Sequence, residues 1–159
     1  MKMTPSHITK EAQTHVKARC REQHCEMKIG RHISRKIIVD VENYWIENGK
    51  QGKVSDCLIV CRFLSRDRVA IVELKGRSPH VSAVVQKIQN VCDSIQELLE
   101  NDFYHTHNFD FYPVLLSKSM SPIETKKLRA CRITLDNFSG GIIREPCNIS
   151  LEFIFGKYG

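Results

Sequence analysis

Lys53 to Arg77 reads KVSDCLIVCRFLSRDRVAIVELKGR, two apolar runs, Ser55 to Phe63 and Arg68 to Leu74, joined by Leu64-Ser65-Arg66-Asp67. A short polar connection of that kind links neighbouring antiparallel strands, so the stretch predicts a hairpin. It carries Asp56 at the start of one strand, and Glu73 and Lys75 at the end of the other. Such residues are poor strand formers and costly to bury beside Leu58, Ile59, Val60, Val69, Ile71 and Val72, so they need a cause. Side chains two apart on an extended chain project to one side of the sheet, which puts Glu73 with Lys75, and Asp56 on the adjacent strand can face them. Two carboxylates and the backbone carbonyl of Leu74 are hard oxygen donors suited to Mg2+ or Mn2+. Lys75 beside them can orient or deprotonate a water and offset charge on a pentacovalent transition state. The pattern predicts metal-assisted phosphodiester hydrolysis.

Working outward, Ser34 to Asn48 places Ile37, Ile38, Val41, Tyr44 and Trp45 at helical spacing, with Asn48-Gly49 as a stop. The chain before it is rich in lysine and arginine and reads as a basic helical extension over residues 1–33 of a single domain spanning 1–159. Beyond the hairpin, Ser78-Pro79 opens a helix whose apolar stripe runs from Val81 to Leu99. Phe109 to Ser117 is a strand returning to the same sheet. A short basic helix from Ser121-Pro122 to near Arg129, a strand from Cys131 to Leu135, a turn at Gly140-Gly141 and a last strand from Leu151 to Phe155 complete the expectation.

The 159 residues, 42% of them hydrophobic, can bury a core, and a formal net charge of +6 suits a polyanionic partner. No apolar run approaches membrane-spanning length, and the N-terminus lacks the apolar centre of a signal peptide, so a soluble, cytoplasmic protein without a membrane partner is expected. Seven scattered cysteines, an odd number, argue for reduced thiols. Cys20 and Cys25, near His15, His24 and His32, could begin a zinc site, but no second pair stands at a matching spacing, and zinc is not expected. Cys57 and Cys61 fall on the strand face opposite Asp56, where they suit packing.

Glu-x-Lys is a common tripeptide and occurs three times here. Glu26-Met27-Lys28 and Glu124-Thr125-Lys126 read as solvated charge pairs. Only Glu73-Leu74-Lys75 ends an apolar strand, faces an aspartate across a hairpin, and precedes glycine and a long amphipathic helix.

In that context Ser55-Asp56, then Val72-Glu73-Leu74-Lys75-Gly76, then a helix, resembles the PD-(D/E)XK nuclease superfamily over roughly Ile37 to Ser117. Ser55 stands where the name-giving proline would be. The resemblance implies an α/β fold: a central mixed β-sheet flanked by helices, with a restriction endonuclease-like α-β-β-(β)-α-β core. It also implies Mg2+- or Mn2+-dependent cleavage of nucleic acid, with Asp56, Glu73 and Lys75 at the catalytic positions and an acid on the first helix, Glu42, assisting the metal. Members also place a glutamine or lysine on the following helix near the scissile phosphate. Gln86, Lys87 and Gln89 compete for that role here, with Lys87 preferred because it flanks the apolar stripe, whereas Gln86 lies nearly opposite it. Arg77, just past Lys75, joins Lys87 and Gln86 as a candidate nucleic-acid contact.

A lone basic domain contacts phosphates more readily than bases, so a structure-selective or weakly sequence-specific nuclease, in defence or repair, is the expected function. Duplex cleavage would favour a homodimer. The alternative is a catalytically inactive nucleic-acid-binding or protein-interaction module on the same fold.

Overall fold

A computed structural model describes residues 7–106 and 109–159. A single helical turn, α1 (Lys10–Gln13), leads into the short strands β1 (Val16–Lys17), β2 (Cys20–Glu22) and β3 (Cys25–Met27). The first six residues of the expected helical extension lie outside the described residues. The rest of it holds one helical turn and three short strands joined by turns and loops: β2 and β3 form an antiparallel hairpin, Cys20 opposite Met27 and Glu22 opposite Cys25. Burial of Cys20, Cys25 and Met27 against exposed Arg21 and Glu22 reflects pairing and not a helical stripe. The helix expected from Ser34 is likewise split into β4 (Arg35–Asp40) and α2 (Val41–Glu47). Three successive β-branched residues, Ile37, Ile38 and Val39, favour the pleated chain. Asp40 then starts the helix, its Oδ1 accepting from the Asn43 N–H at 3.0 Å.

The hairpin forms as β5 (Cys57–Phe63) and β6 (Arg66–Lys75), in register from Cys57 with Val72 to Phe63 with Arg66. Its turn is shorter than expected. Leu64 and Ser65 alone make it, with φ of 51° and 64°, a left-handed pair whose twist matches that of the strands. Helix α3 (Val81–Asp93) breaks at Ser94 before α4 (Ile95–Leu98), although the apolar stripe, Val85 half-buried and the rest buried, runs on through Leu99. After α5 (Asn101–Thr106), β7 (Phe109–Ser117) returns parallel to β6, Lys75 beside Ser117.

Helix α6 (Pro122–Ala130) is followed by β8 (Ile133–Leu135), β9 (Phe138–Gly140), β10 (Ile143–Glu145) and α7 (Leu151–Tyr158). The turn expected at Gly140 lies instead at Asp136-Asn137, and Gly140 pairs with Ile133. The expected last strand is α7: Ser150 caps it by accepting from the Phe153 N–H, and Leu151, Ile154 and Phe155 are buried at helical spacing.

The main sheet is mixed, in the order β1-β4-β5-β6-β7-β10, antiparallel as far as β6 and parallel beyond. One core layer joins Val39, Leu58, Val60, Val69 and Ile71 to α3; the other joins Ile59, Val72, Leu74 and Val114 to the β2–β3 hairpin and α7. No helix among the described residues is long and apolar enough to cross a membrane. The expectation of reduced thiols does not hold throughout, because Cys20 is bonded to Cys57 and Cys25 to Cys147, while Cys61, Cys92 and Cys131 are free. Cys20 and Cys25 are thus each tied in a disulfide, to Cys57 and to Cys147 respectively.

Candidate metal centre

Asp56 stands one residue before β5, where the register of Cys57 with Val72 sets it beside Glu73. Its carbonyl accepts from Val41 N–H at 3.3 Å, fastening the start of α2 to the site, and its Oδ2 accepts from Leu74 N–H at 2.8 Å. Asp56, Glu73 and Lys75 share the parity of Leu58, Val69 and Ile71, which face α3. From α3, Lys87 puts Nζ 2.8 Å from Glu73 Oε2, and Lys75 Nζ stands 3.6 Å from the same oxygen. Glu73 is 1% exposed, and its Oε1 is buried with no hydrogen-bond partner among the described residues. The Oγ of buried Ser55 is likewise without one.

Burial, and then the charge of Glu73, pushes the Asp56 carboxyl up to about 7. Burial followed by the charges of Asp56 and Glu22 raises Glu42 as well. Burial works against charge on Lys87, but its hydrogen bond to Glu73 and the charge of Glu73 outweigh it, and its pKa is raised. A second acidic edge adjoins Asp56: one carboxylate oxygen each from Glu22, Glu42 and Asp56 lies within 4.8 Å of the others. A crowded acid set with an orphaned buried oxygen is the donor chemistry of a hard divalent cation, Mg2+ or Mn2+. Leu74 fits as well, since a strand residue's N–H and C=O leave by the same edge, here the edge toward Asp56.

The structure therefore brings together Asp56, Glu73, Lys75, Glu42 and Lys87. Gln86 is exposed on α3 and donates to Asn90, and Arg77 is exposed beyond β6; neither joins the cluster. Gln89 is spent on β8, exchanging two hydrogen bonds with the Thr134 backbone. Of the two surface pairs, Glu26 meets Arg19, and Glu124 meets Lys127 while also accepting from Val81 N–H at the head of α3 at 2.8 Å. Glu124 is thus a helix cap and not a merely solvated charge. Sequence reasoning missed Glu22, whose position depends on the β2–β3 hairpin. A cavity of about 740 Å³ lined by Tyr104, Phe109 and Phe138 lies at the other end of the sheet, where Asp67 pairs with Phe109. Compared with known proteins, the chain matches no family model, no curated protein and no solved structure.

Proposed function

We propose that the chain is a metal-dependent nuclease, hydrolysing phosphodiester bonds of DNA or RNA on a restriction endonuclease-like core. One observation carries the reading: Glu73, buried, holds an unpartnered Oε1 beside Asp56 at the strand end where Lys75 and Lys87 converge. A buried acid pair is costly unless a proton or a cation relieves it. The succession α2, β5, β6, α3, β7, with β7 parallel to β6, supports the core, and the net charge of +6 supports a polyanionic substrate.

Asp56, Glu73 and the Leu74 carbonyl would hold Mg2+ or Mn2+, with Glu42 assisting. Such an ion polarises a phosphate oxygen and makes a water more acidic. Lys75 orients the attacking water and offsets charge developing on the phosphorus oxygens. Lys87, neutralising Glu73 in the resting site, turns its ammonium to the scissile phosphate once Glu73 is otherwise compensated. The 2.8 Å Lys87–Glu73 pair also favours a second reading, a nucleic-acid-binding module in which the acid is satisfied by lysine alone. A panel of single-stranded, double-stranded and branched DNA and RNA, with Mg2+ or Mn2+, separates the two. Metal-dependent cleavage that EDTA stops is the expected outcome. Tight binding to the panel without cutting would replace the nuclease by the binding module.

A further inference from the structure

The β2–β3 hairpin packs on β6 and β7 across the sheet from α3, yet Glu22 at its tip reaches Asp56 and Glu42 on the other side's rim. What holds the tip there is unevenly divided between the two strands. β3 is fastened by hydrogen bonds to the segment before α7: Lys28 N–H to Ile149 O, Asn148 N–H to Glu26 O, and Glu26 N–H to Asn148 Oδ1. Among the described residues strand β2 pairs with β3 only, and its covalent link to the main sheet is Cys20–Cys57. That bond joins the residue two before Glu22 to the residue after Asp56. Cys25, directly opposite Glu22 in the hairpin, is bonded to Cys147.

We propose that the Cys20–Cys57 disulfide is a positioning element of the metal centre, delivering Glu22 as an additional carboxylate to the cation that Asp56 and Glu73 hold. The proposal rests on the metal reading above. It draws on two independent observations, the approach of Glu22, Glu42 and Asp56 to within 4.8 Å and the buried Oε1 of Glu73, without a partner among the described residues, on the acid that interacts directly with Asp56. Cys20 and Cys57 are both fully buried, and the covalent bond between them restrains β2 against the start of β5.

The test is calorimetric titration of Mn2+ into the full chain purified without reductant. Thiol titration in denaturant should find three free thiols, those of Cys61, Cys92 and Cys131; seven would overturn the proposal. Glu22→Gln, with the disulfide intact, and Cys20→Ala/Cys57→Ala should each weaken Mn2+ binding roughly 10–100-fold. Adding Glu22→Gln to the cysteine pair should cost almost nothing more, because Glu22 has already left the site. A disulfide that only stabilises the fold would lower Tm, leave Mn2+ affinity unchanged and give independent losses, which overturns the idea. Should the alanine pair not fold, Cys20→Val/Cys57→Ala refills the volume, and wild-type affinity in Glu22→Gln is decisive against the proposal by itself. No Mn2+ binding by the wild type removes the metal reading and this proposal together; binding untouched by any variant removes this one alone.

Discussion

Strand β6 ends in charge on both sides, and the two ends are built differently. At its start, Arg66 donates two hydrogen bonds of 2.8 Å to Asp110 on β7, and Arg62 lies 3.5 Å from Asp67. The hydrogen bonds from Arg66 hold the Asp110 carboxyl below its ordinary range. At its finish, Glu73 meets two lysines but also faces Asp56, and beyond Asp56 stand Glu42 and Glu22. There burial, and then the charge of Glu73, raises Asp56 to about 7, and burial with the charges of Asp56 and Glu22 raises Glu42. One end is closed on itself by matched pairs; the other holds more acid than its lysines compensate. Closed pairs need nothing from outside, whereas a buried acid surplus is costly until a proton or an outside cation relieves it, and the proposed metal would be that cation.

The difference should be greatest in cleavage. Lys75→Ala is expected to lower the single-turnover rate roughly 10²–10⁴-fold while leaving nucleic-acid affinity near wild type, since one phosphate contact among many carries little of the binding. Glu73→Ala should abolish cleavage through loss of the metal and tighten metal-free binding by removing a negative charge. Asp110→Ala, at the closed end, should leave the rate unchanged. Circular dichroism on all three separates unfolding from lost chemistry. Folded Glu73→Ala and Lys75→Ala proteins cleaving at the wild-type rate would leave both ends of β6 as structural ion pairs.

The two ends should also titrate in opposite senses. Asp56 is raised from 3.8 to about 7, so between those values the folded chain binds more protons than the unfolded one. Its stabilising contribution is complete below pH 3.8 and is lost as pH rises through about 7. Metal-free protein should therefore melt several degrees lower at pH 8 than at pH 5, and Asp56→Asn or saturating Mn2+ should flatten that slope. Asp110, held low by Arg66, contributes above its ordinary range and loses that contribution as pH falls through the depressed value. Asp110→Asn should blunt only the acid limb. A metal-free melting curve flat from pH 5 to 8 would show that Asp56 and Glu73 do not crowd each other.

The parts legible in the sequence were those set by local pattern. Alternation in β5 and β6 placed Asp56, Glu73 and Lys75 on one face, and the α3 stripe favoured Lys87 over Gln86; Glu42 was reached through the family resemblance. Ile37-Ile38-Val39 misled because an apolar strand running straight into a capped helix leaves one continuous apolar segment, in which Asp40 was the overlooked signal. Leu151 to Phe155 is too short for period alone to separate strand from helix. Strand β10, three residues long, drew no expectation at all. Glu22 and the two disulfides were out of reach for a deeper reason: they join positions 37 and 122 residues apart, and cysteine connectivity is a property of the fold and not of spacing.

The smallest effect belongs to Glu124, which touches the helix that serves one end of β6. Helix α3 has no side-chain cap at His80, and the Glu124 carboxylate, accepting from Val81 N–H, satisfies one of its orphan donors. That bond, with Lys127 nearby, holds the Glu124 carboxyl below its usual range. Glu124→Ala should lower Tm slightly and reduce cleavage by no more than a few-fold, because Lys87 lies nearly two turns farther along α3 and is anchored by Glu73. Glu124→Gln keeps an acceptor oxygen and should recover most of the lost stability, while Lys126→Ala, on an exposed side chain, should change neither quantity. Thermal melts and single-turnover rates on the three variants give the ranking. A rate loss in Glu124→Ala as deep as that of Lys75→Ala would move the head of α3 into the reactive centre, and the acid surplus at the end of β6 would no longer account for the chemistry alone.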